Sequence, residues 1–389
     1  MPWNEVSVMD QRREFVRLAM QEGVNRRELC RRFGISADVG YKWLARTAAG
    51  HDLADRSRRP HTSPKRSDAV TEARVLAVRD RHPAWGARKI ARCLERDGLK
   101  PPALSTLHEI LRRHGRVRPA PGGPTAWQRF EKEAPNLLWQ MDFKGYMGLT
   151  NGALCHPLTM IDDHSRYALC VRACANQQSS TVQDHLIATF QRYGLPDAFF
   201  VDNGSPWGDP SGSRWTRLGV WLLKLGVDVL HARPYHPQSR GKNERFHRTL
   251  NAEVFATQRF KDLQEVQRAL DAWRSIYNLE RPHEALDLHV PADRYRPSSR
   301  GMPERIAEVE YDSNEIVRRV TTTKAYLSFK GRLWKVPQAF RGERLAIRPL
   351  TRDGRFGVFF GSRQVATIDL TPNKDVSHVS EQVSAMSPG

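Results

Sequence analysis

The sequence predicts a multidomain chain with N-terminal all-α helix-turn-helix units, a central α/β mixed sheet covered by helices, and a small C-terminal β-barrel. Three observations lead to this fold class. The 389 residues exceed the length of one ordinary core. The apolar period is helical in the first third of the chain and changes to strands and alternating helices after residue 135. Short strands with glycine turns return from residue 317 to 370.

The charge of the chain favours a polyanionic partner. The 62 lysines and arginines outnumber the 43 aspartates and glutamates, which gives a formal charge of +19. Residues 1–136 hold 28 basic and 16 acidic residues, and so carry +12 of this charge. Because each neutralised phosphate releases condensed counterions, nucleic acid is the first partner to consider. The alternative is a basic surface that is only solvated.

Apolar runs and cysteines both indicate a cytoplasmic protein. No run reaches the length that crosses a bilayer, and the opening residues do not form a signal peptide, so no membrane partner is expected. The cysteines show no spacing typical of a zinc site. We therefore expect five reduced and mostly buried thiols, at Cys30, Cys93, Cys155, Cys170 and Cys174.

Residues 1–50 are predicted to form a helix-turn-helix domain of three short helices. Asn25 and Ser36 are predicted to cap the second and third helices. In a helix-turn-helix, the helix after the turn, here Ala37 to Ala45, lies in the DNA major groove. A protein-interaction module is the alternative. The basic side chains expected near phosphates are Lys42 and Arg46.

A basic linker, residues 51–66, and a second helix-turn-helix domain, residues 67–118, are predicted to follow. Ser105 is expected to cap the last helix of that domain. A plain helical spacer with a solvated basic face is the alternative. Residues 119–136 are predicted to form a second linker. The candidate DNA contacts in these segments are Arg56, Arg58, Arg59, Arg112 and Arg113.

The central segment, residues 137–300, has strand-like runs followed by alternating helices and strands, a pattern typical of a mixed sheet. Residues 315–372 are predicted to form the small barrel, and residues 373–389 a flexible tail. The strands of the central segment are expected near 138–144, 155–162, 166–171, 198–201 and 227–230, and its first helices near 181–193 and 215–225.

Three carboxylates in the central segment have settings that suit a shared cleft. Asp142 lies inside an apolar strand, where an unpaired charge would be costly. Asp202 ends a second apolar strand and precedes an Asn-Gly turn. Glu244 begins a helix and lies off its apolar stripe, which consists of Phe246, Leu250 and Val254. Taken singly, each acid is more often a turn or capping residue.

Three carboxylates cannot share a cleft as bare anions, but two divalent metal ions would bind them. Hard oxygen ligands favour two Mg²⁺ ions, for which Mn²⁺ can substitute. Basic side chains beside Glu244 are expected to form a ridge that grips DNA phosphates, and pairing with surface acids such as Glu253 is the alternative. The residues of this ridge and of the loop before it are Arg240, Lys242, Arg245 and Arg248.

Other polar residues near these acids are expected to have structural roles. Asp162 and Asp163 follow a strand and are predicted to build a turn. Metal-assisted hydrolysis needs no activated protein nucleophile. Three histidines are therefore expected to be loop or surface residues: His236, His247 and His283.

The pattern as a whole resembles the catalytic core of retroviral-type integrases and insertion-sequence transposases. The resemblance lies in WQMD at 139–142, DNG at 202–204 and PYHPQSRGKNER at 234–245. It implies a ribonuclease-H-like integrase core in which an Asp, Asp, Glu triad is both catalytic and metal-binding: Asp142, Asp202 and Glu244. The runs DRSRRP at 55–60, HPAWGA at 82–87 and YNLERPH at 277–283 extend the resemblance to the insertion sequence 481 family.

The resemblance implies a DNA transposase that acts on the nucleoid in the bacterial cytoplasm. Such an enzyme binds the terminal inverted repeats of an insertion sequence and catalyses metal-dependent cleavage and strand transfer into target DNA. Its partner is double-stranded DNA, and a homo-oligomer is implied in the active complex. Two alternatives remain: a catalytically silent DNA-binding protein derived from a transposase, and a stand-alone ribonuclease-H-like nuclease.

Overall fold

The computed structural model describes residues 7–56, 66–117, 131–208, 213–231 and 241–371. The chain divides into two compact units, Met1–Ser67 and Asp68–Gly389. All five cysteines are free, and four of them are buried, as predicted. Across the described ranges, no helix is long and apolar enough to cross a membrane. The predicted DNA contacts Arg58, Arg59 and Arg240 lie outside the described residues.

The first unit contains three helices: α1 (Val8–Ala19), α2 (Arg26–Arg32) and α3 (Ala37–Ala48). Both predicted caps are confirmed. The Asn25 side chain accepts a hydrogen bond from the backbone N–H of residue 28, and Ser36 accepts one from residue 39. The helices pack around a small core of Phe15, Leu29 and Trp43. The predicted helix-turn-helix arrangement is therefore present.

The second unit begins with three further helices: α4 (Ala69–Arg81), α5 (Ala87–Arg96) and α6 (Leu104–Arg113). Their core contains Ile90, Leu107 and Ile110, which are all fully buried. The predicted Ser105 cap is wrong. Helix α6 begins at Leu104, so Ser105 already lies in its first turn, and Ala103 occupies the capping position with no side-chain hydrogen bond.

A mixed sheet forms the centre of the second unit. Its strands are β1 (Trp139–Phe143), β2 (Met147–Gly148), β3 (Leu154–Asp162), β4 (Ala168–Cys174), β5 (Ala198–Val201) and β6 (Asp228–His231). The order is β2-β3-β1-β5-β6, with β4 also paired to β3. Strands β1, β5 and β6 are parallel, and β3 is antiparallel to both β1 and β4. The predicted strands are thus present within a few residues of their expected bounds.

Helices cover both faces of this sheet. On one face, α7 (Ser179–Tyr193) and α8 (Arg217–Lys224) pack on Trp139 and Phe199. On the other face lie α9 (Gly241–Leu250), a π-helical turn over 251–255 and α10 (Leu263–Leu279). The short α11 (Pro291–Arg294) follows in the chain and contacts α10. The predicted apolar stripe of α9 is confirmed by the burial of Phe246, Leu250 and Val254.

The C-terminal segment consists of antiparallel strands: β7 (Ile316–Arg319), β8 (Tyr326–Phe329), β9 (Arg332–Lys335), β10 (Arg344–Pro349), β11 (Arg355–Phe360) and β12 (Arg363–Asp369). Four of them form a sheet in the order β12-β11-β10-β7, and β8 and β9 form a separate hairpin. Because the hairpin does not join that ladder over residues 316–369, the predicted barrel is not confirmed. The core of this segment continues into α8 through Val220.

Candidate active site

Asp142 and Asp202 belong to neighbouring parallel strands. β1 and β5 pair in a register whose last pair is Gln140 opposite Phe200. Two residues further along the same register, Asp142 falls beside Asp202, and register partners in parallel strands share a face of the sheet. Both side chains are half-buried. The register therefore brings two carboxylates to the same end of the sheet.

Two hydrogen bonds link α9 to the backbone of Asp142. The Thr159 hydroxyl on β3 donates to the Asp142 carbonyl oxygen over 3.0 Å, and it lies 2.8 Å from Nε2 of His247. Because the single hydroxyl proton is used on the carbonyl, Nε2 donates to the hydroxyl oxygen. Burial lowers the pKa of His247 to about 4, so the imidazole is neutral near pH 7. This residue is a partly buried link between α9 and β3 and not the loop or surface histidine that the sequence predicts.

Glu244 lies in the first turn of α9, three residues before His247. Residues three apart lie on the same side of a helix, so the contact at His247 sets the side of α9 from which Glu244 projects. The Glu244 side chain is exposed. Within the ranges that the structure describes, no three His, Cys, Asp or Glu side chains are grouped closely enough to hold a metal ion. The donors themselves are hard carboxylate oxygens, the ligand type that suits Mg²⁺.

Lys242 ties the start of α9 to the sheet. Its Nζ lies 2.5 Å from Oδ1 of Asp163, which is fully buried and also accepts a hydrogen bond from the Gln140 amide over 2.7 Å. Burial lowers the pKa of Lys242, and the Asp163 carboxylate opposes that shift. Lys242 is expected at a DNA phosphate, but its charge is engaged within the protein.

The two adjacent acids after β3 have different roles. Asp162 builds the predicted turn, since its carboxylate accepts from the Ser165 backbone N–H over 2.7 Å and from the Ser165 hydroxyl over 2.6 Å. Burial raises the pKa of Asp162. Asp163 instead pairs with a residue 79 positions away. No local sequence signal distinguishes them, because the difference arises from a distant helix.

The predicted DNA contacts of the first unit differ in exposure. Lys42 on α3 and Arg56 are exposed. Arg46 is half-buried and donates to the Ala54 carbonyl over 3.1 Å, and its guanidinium lies 4.8 Å from the centre of the Trp43 ring. Arg46 therefore holds the segment after α3 against that helix. Lys42 and Arg56 remain exposed, and the Lys42 Nζ also lies 4.9 Å from the centre of the Trp43 ring.

The two arginines at the end of α6 also differ. Arg113 lies 2.7 Å from the Glu72 carboxylate, whose side chain is only 7% exposed. His114 approaches the same carboxylate over 2.9 Å. Arg112 pairs with Glu109 one turn earlier and is 58% exposed. Arg113 is thus part of the internal packing of α4 and α6, and Arg112 is at the surface.

On α9, Arg245 and Arg248 are exposed. Arg245 lies 3.9 Å from the Glu284 carboxylate, a distance at which an exposed pair contributes little stability. Glu253, the surface partner considered for this ridge, pairs instead with Arg281 over 3.0 Å in a nearly buried contact. Of the expected ridge, Lys242 is therefore paired with Asp163, and Arg245 and Arg248 face solvent.

Family models match three parts of this architecture. Two integrase core domain models match residues 132–237 and 225–291, and the C-terminal domain of IS481 family transposases matches residues 315–376. The chain is a DNA transposase of the integrase type. Together these models span more than half of its length, and the IS481 match confirms the family predicted from the sequence.

Two further models match the N-terminal helices of the transposase. A helix-turn-helix domain matches residues 11–61, and a homeodomain-like domain matches residues 39–111. These domains indicate DNA binding, in agreement with the basic N-terminal third of the chain.

Similar curated proteins come from insertion elements. The transposase is 24% identical over 235 residues to an insertion element IS407 protein of Burkholderia multivorans, a match that spans 59% of this chain and 82% of the relative. An IS476 protein of Xanthomonas euvesicatoria is 23% identical, with 59% of this chain and 65% of the relative covered. An IS136 protein of Agrobacterium fabrum is 29% identical over 172 residues, with 42% and 85% covered.

Similar solved structures are retroviral. A simian T-cell lymphotropic virus intasome chain aligns with a TM-score of 0.37 at 17% identity, covering 74% of this chain and 96% of its own. The catalytic core domain of HTLV-2 integrase, solved in complex with magnesium, aligns with a TM-score of 0.33 at 13% identity and covers 42% and 99%. With scores this low, the fold assignment rests on the family models and the sheet topology.

Proposed function

We propose that this transposase binds the terminal inverted repeats of an insertion sequence, hydrolyses one DNA strand at each end and joins the 3′ hydroxyl to target DNA. Asp142, Asp202 and Glu244 are the catalytic and metal-binding residues of this proposal. Water and then the 3′ hydroxyl are the nucleophiles, so no covalent protein intermediate forms. The protein acts in the bacterial cytoplasm on nucleoid DNA.

The observation that supports the triad is the parallel pairing of β1 with β5, because Asp142 and Asp202 both follow this paired register toward the same end of the sheet. The link from His247 through Thr159 supports the third member, because it fixes α9 against the backbone of Asp142. The Glu244 side chain is exposed in the first turn of α9, so it is open to a metal ion that enters from solvent.

The donor set of three carboxylates fits two Mg²⁺ or Mn²⁺ ions, which would activate the attacking oxygen and stabilise the leaving oxygen of the phosphodiester. The remaining rate enhancement would come from the positioning of the reacting groups. Asp163 and Lys242 hold the first turn of α9, and Thr159 and His247 hold the second. These contacts would hold α9 in place beside a DNA strand bound at the proposed active site.

The exposed cations are the remaining candidates for contact with the DNA backbone. They are Lys42 and Arg56 in the first unit, Arg112 on α6, and Arg245 and Arg248 on α9. Arg46, Arg113 and Lys242 are assigned to internal contacts in this proposal. A homo-oligomer is the proposed active complex, because two element ends have to be processed together.

Joining of a labelled DNA end to a plasmid tests this function. The purified chain should produce joined product with Mg²⁺ or Mn²⁺, lose activity with a chelator and recover when Mg²⁺ is returned. End binding with no cleavage under any metal would favour a catalytically silent DNA-binding protein. Cleavage of any duplex with no joining would favour a nuclease. Full activity restored by zinc alone would contradict the hard-ligand argument.

A further inference from the structure

A cleft of about 400 Å³ lies where the second helical segment meets the integrase core. Its lining comes from the starts of α5 and α6 and from the turn at Glu284–Leu286. The polar residues that line it are Arg88, Lys89, Ser105, His108 and Glu284. None of these side chains has a role in the internal contacts of the proposed active site.

Two helix N-termini open into this cleft without caps. Gly86 is the N-cap residue of α5 and Ala103 that of α6, and neither helix has a side-chain cap. Each helix has ten residues, and the first backbone N–H groups of a helix have no partner within it. These N–H groups and the helix dipoles favour an anion at both ends. A Cβ on Gly86 would meet no atom within 4 Å, so the space in front of α5 is open.

Lys89 supplies an independent sign of a ligand. Its side chain lines the cleft yet is only 9% exposed. Its backbone N–H donates to the Gly86 carbonyl over 3.0 Å, but over the described ranges its side chain forms neither a hydrogen bond nor an ion pair. Burial lowers its pKa to about 8, so the amine still carries its charge near pH 7. The carboxylates of Glu253 and Glu284 oppose this shift but form no ion pair with Lys89 over the described ranges, so an anion that enters the cleft would stabilise the charge further.

We infer that this cleft is a binding site for a backbone phosphate of double-stranded DNA, held by Lys89, Arg88, the Ser105 hydroxyl and the first N–H groups of α5 and α6. This inference rests on the proposed function and adds to it a specific anchor. In a helix-turn-helix, the first helix meets the DNA backbone and the second enters the major groove from its N-terminal end. Helix α5 and most of α6 fall within the homeodomain-like match, which favours DNA as the source of the phosphate.

The same cleft also borders the catalytic helix. Glu284 lines it, and its carboxylate lies 3.9 Å from Arg245, next to Glu244 on α9. The Glu284 carboxylate is directed toward an arginine, so it is partly neutralised at the edge of the cleft. A duplex anchored here by one phosphate would run beside α9. A phosphate bound in this cleft would therefore place the DNA end close to the proposed active site.

The test uses the full chain with a random-sequence 30-base-pair duplex over a range of salt concentrations. We expect Lys89→Met to weaken binding about three- to tenfold at 0.1 M salt and to reduce the slope of log affinity against log salt by about 0.9, the value for one phosphate. Lys100→Ala is the matched control, because Lys100 is an exposed lysine at the end of the same segment and outside the cleft. It should change the slope by less than half as much.

Gly86→Asp separates folding from binding. At the N-cap of α5, with a φ of −85° and a ψ of 176°, an aspartate can cap the helix, so the melting temperature should stay equal or rise. The added carboxylate would repel a phosphate, so affinity should fall at least threefold. Lys89→Met should also keep the melting temperature, since the largely buried Lys89 side chain forms no ion pair over the described ranges and methionine replaces its apolar stem.

Two results would overturn the inference. One is an unchanged salt slope for Lys89→Met together with unchanged affinity for Gly86→Asp. The other is a site for free phosphate only. In that case inorganic phosphate would raise the melting temperature of the wild type but not of Lys89→Met, while all variants would bind the duplex with the same affinity. Neither result affects strand joining by the triad, which is measured separately. A wild-type chain that binds no duplex would contradict both this site and the proposed function.

Discussion

Replacing Thr159 by valine removes one hydroxyl and leaves the shape of the side chain unchanged. Thr159 is only 1% exposed. Its hydroxyl donates to the Asp142 carbonyl over 3.0 Å and accepts from Nε2 of His247 over 2.8 Å. Each hydrogen bond contributes about 1 kcal/mol net, and each partner left unsatisfied in a buried place adds to the loss. We expect Thr159→Val to lower the free energy of unfolding by about 2–3 kcal/mol.

The effect on strand joining should exceed the effect on folding. If α9 loses its hold on β1 and moves by about 1 Å, the rate of joining falls roughly a hundredfold, because the reacting groups are no longer aligned. DNA binding should be nearly unchanged, since none of the exposed cations is touched. Joining is measured with a labelled DNA end and Mg²⁺, and stability by urea unfolding.

Two variants control this prediction. Thr189→Val removes a buried hydroxyl that donates over 2.7 Å to the His185 carbonyl of its own helix, away from the site. It should leave joining at the wild-type rate. Thr159→Ser keeps the hydroxyl and should restore most of the joining rate. The reasoning is refuted if Thr159→Val is folded and joins DNA at more than half of the wild-type rate.

The remaining predictions concern stability and are read by chemical unfolding. Lys242→Met leaves the buried Asp163 carboxylate without its cation and should lower the free energy of unfolding by about 3–5 kcal/mol. Adding Asp163→Asn to the same chain should recover a large part of this loss. An unchanged unfolding midpoint for Lys242→Met would contradict the buried pair. Burial keeps the pKa of His247 at about 4 and that of His283 well below its usual value, so the unfolded chain takes up protons below about pH 6.5 that the folded chain does not. Stability should therefore fall by about 1 kcal/mol for each histidine between pH 7 and pH 5.5, and His283→Gln should flatten this dependence; equal slopes in both proteins would argue against it. Ser36→Ala should cost about 1 kcal/mol in the first unit, through loss of the α3 cap, and no change in the unfolding of that unit would contradict the cap.

Local patterns were sufficient for much of the fold. The caps Asn25 and Ser36 precede apolar helices at the expected spacing, and the structure has both. The burial of Phe246 and Leu250 follows from helical periodicity, which also directs Glu244 away from the core. Ser105 is a poor predictor of the cap, because the start of a helix depends on the course of the preceding proline-containing turn, and α6 begins two residues earlier than a cap at Ser105 would require.

Long-range contacts account for what the sequence could not predict. Lys242 and Asp163 are 79 positions apart, and Thr159 and His247 are 88 apart, so neither pairing has a signature in a local run. The basic neighbours of Glu244 predict a uniform DNA-binding ridge, but Lys242 forms an internal ion pair with the buried Asp163. The closure of a barrel likewise depends on strand pairing between distant segments, which alternation of apolar residues does not encode.

The most direct test of the account is strand joining by Asp142→Asn, Asp202→Asn and Glu244→Gln, with Asp271→Asn as the control. The control residue is an exposed aspartate on α10, 3.9 Å from Arg172 and outside the proposed site. Each triad variant should bind the element end as the wild type does and lose joining by at least about a hundredfold, because a metal ligand is removed while the charge-bearing DNA contacts remain. Asp271→Asn should join normally. Near wild-type joining by any two of the three triad variants would contradict the central claim.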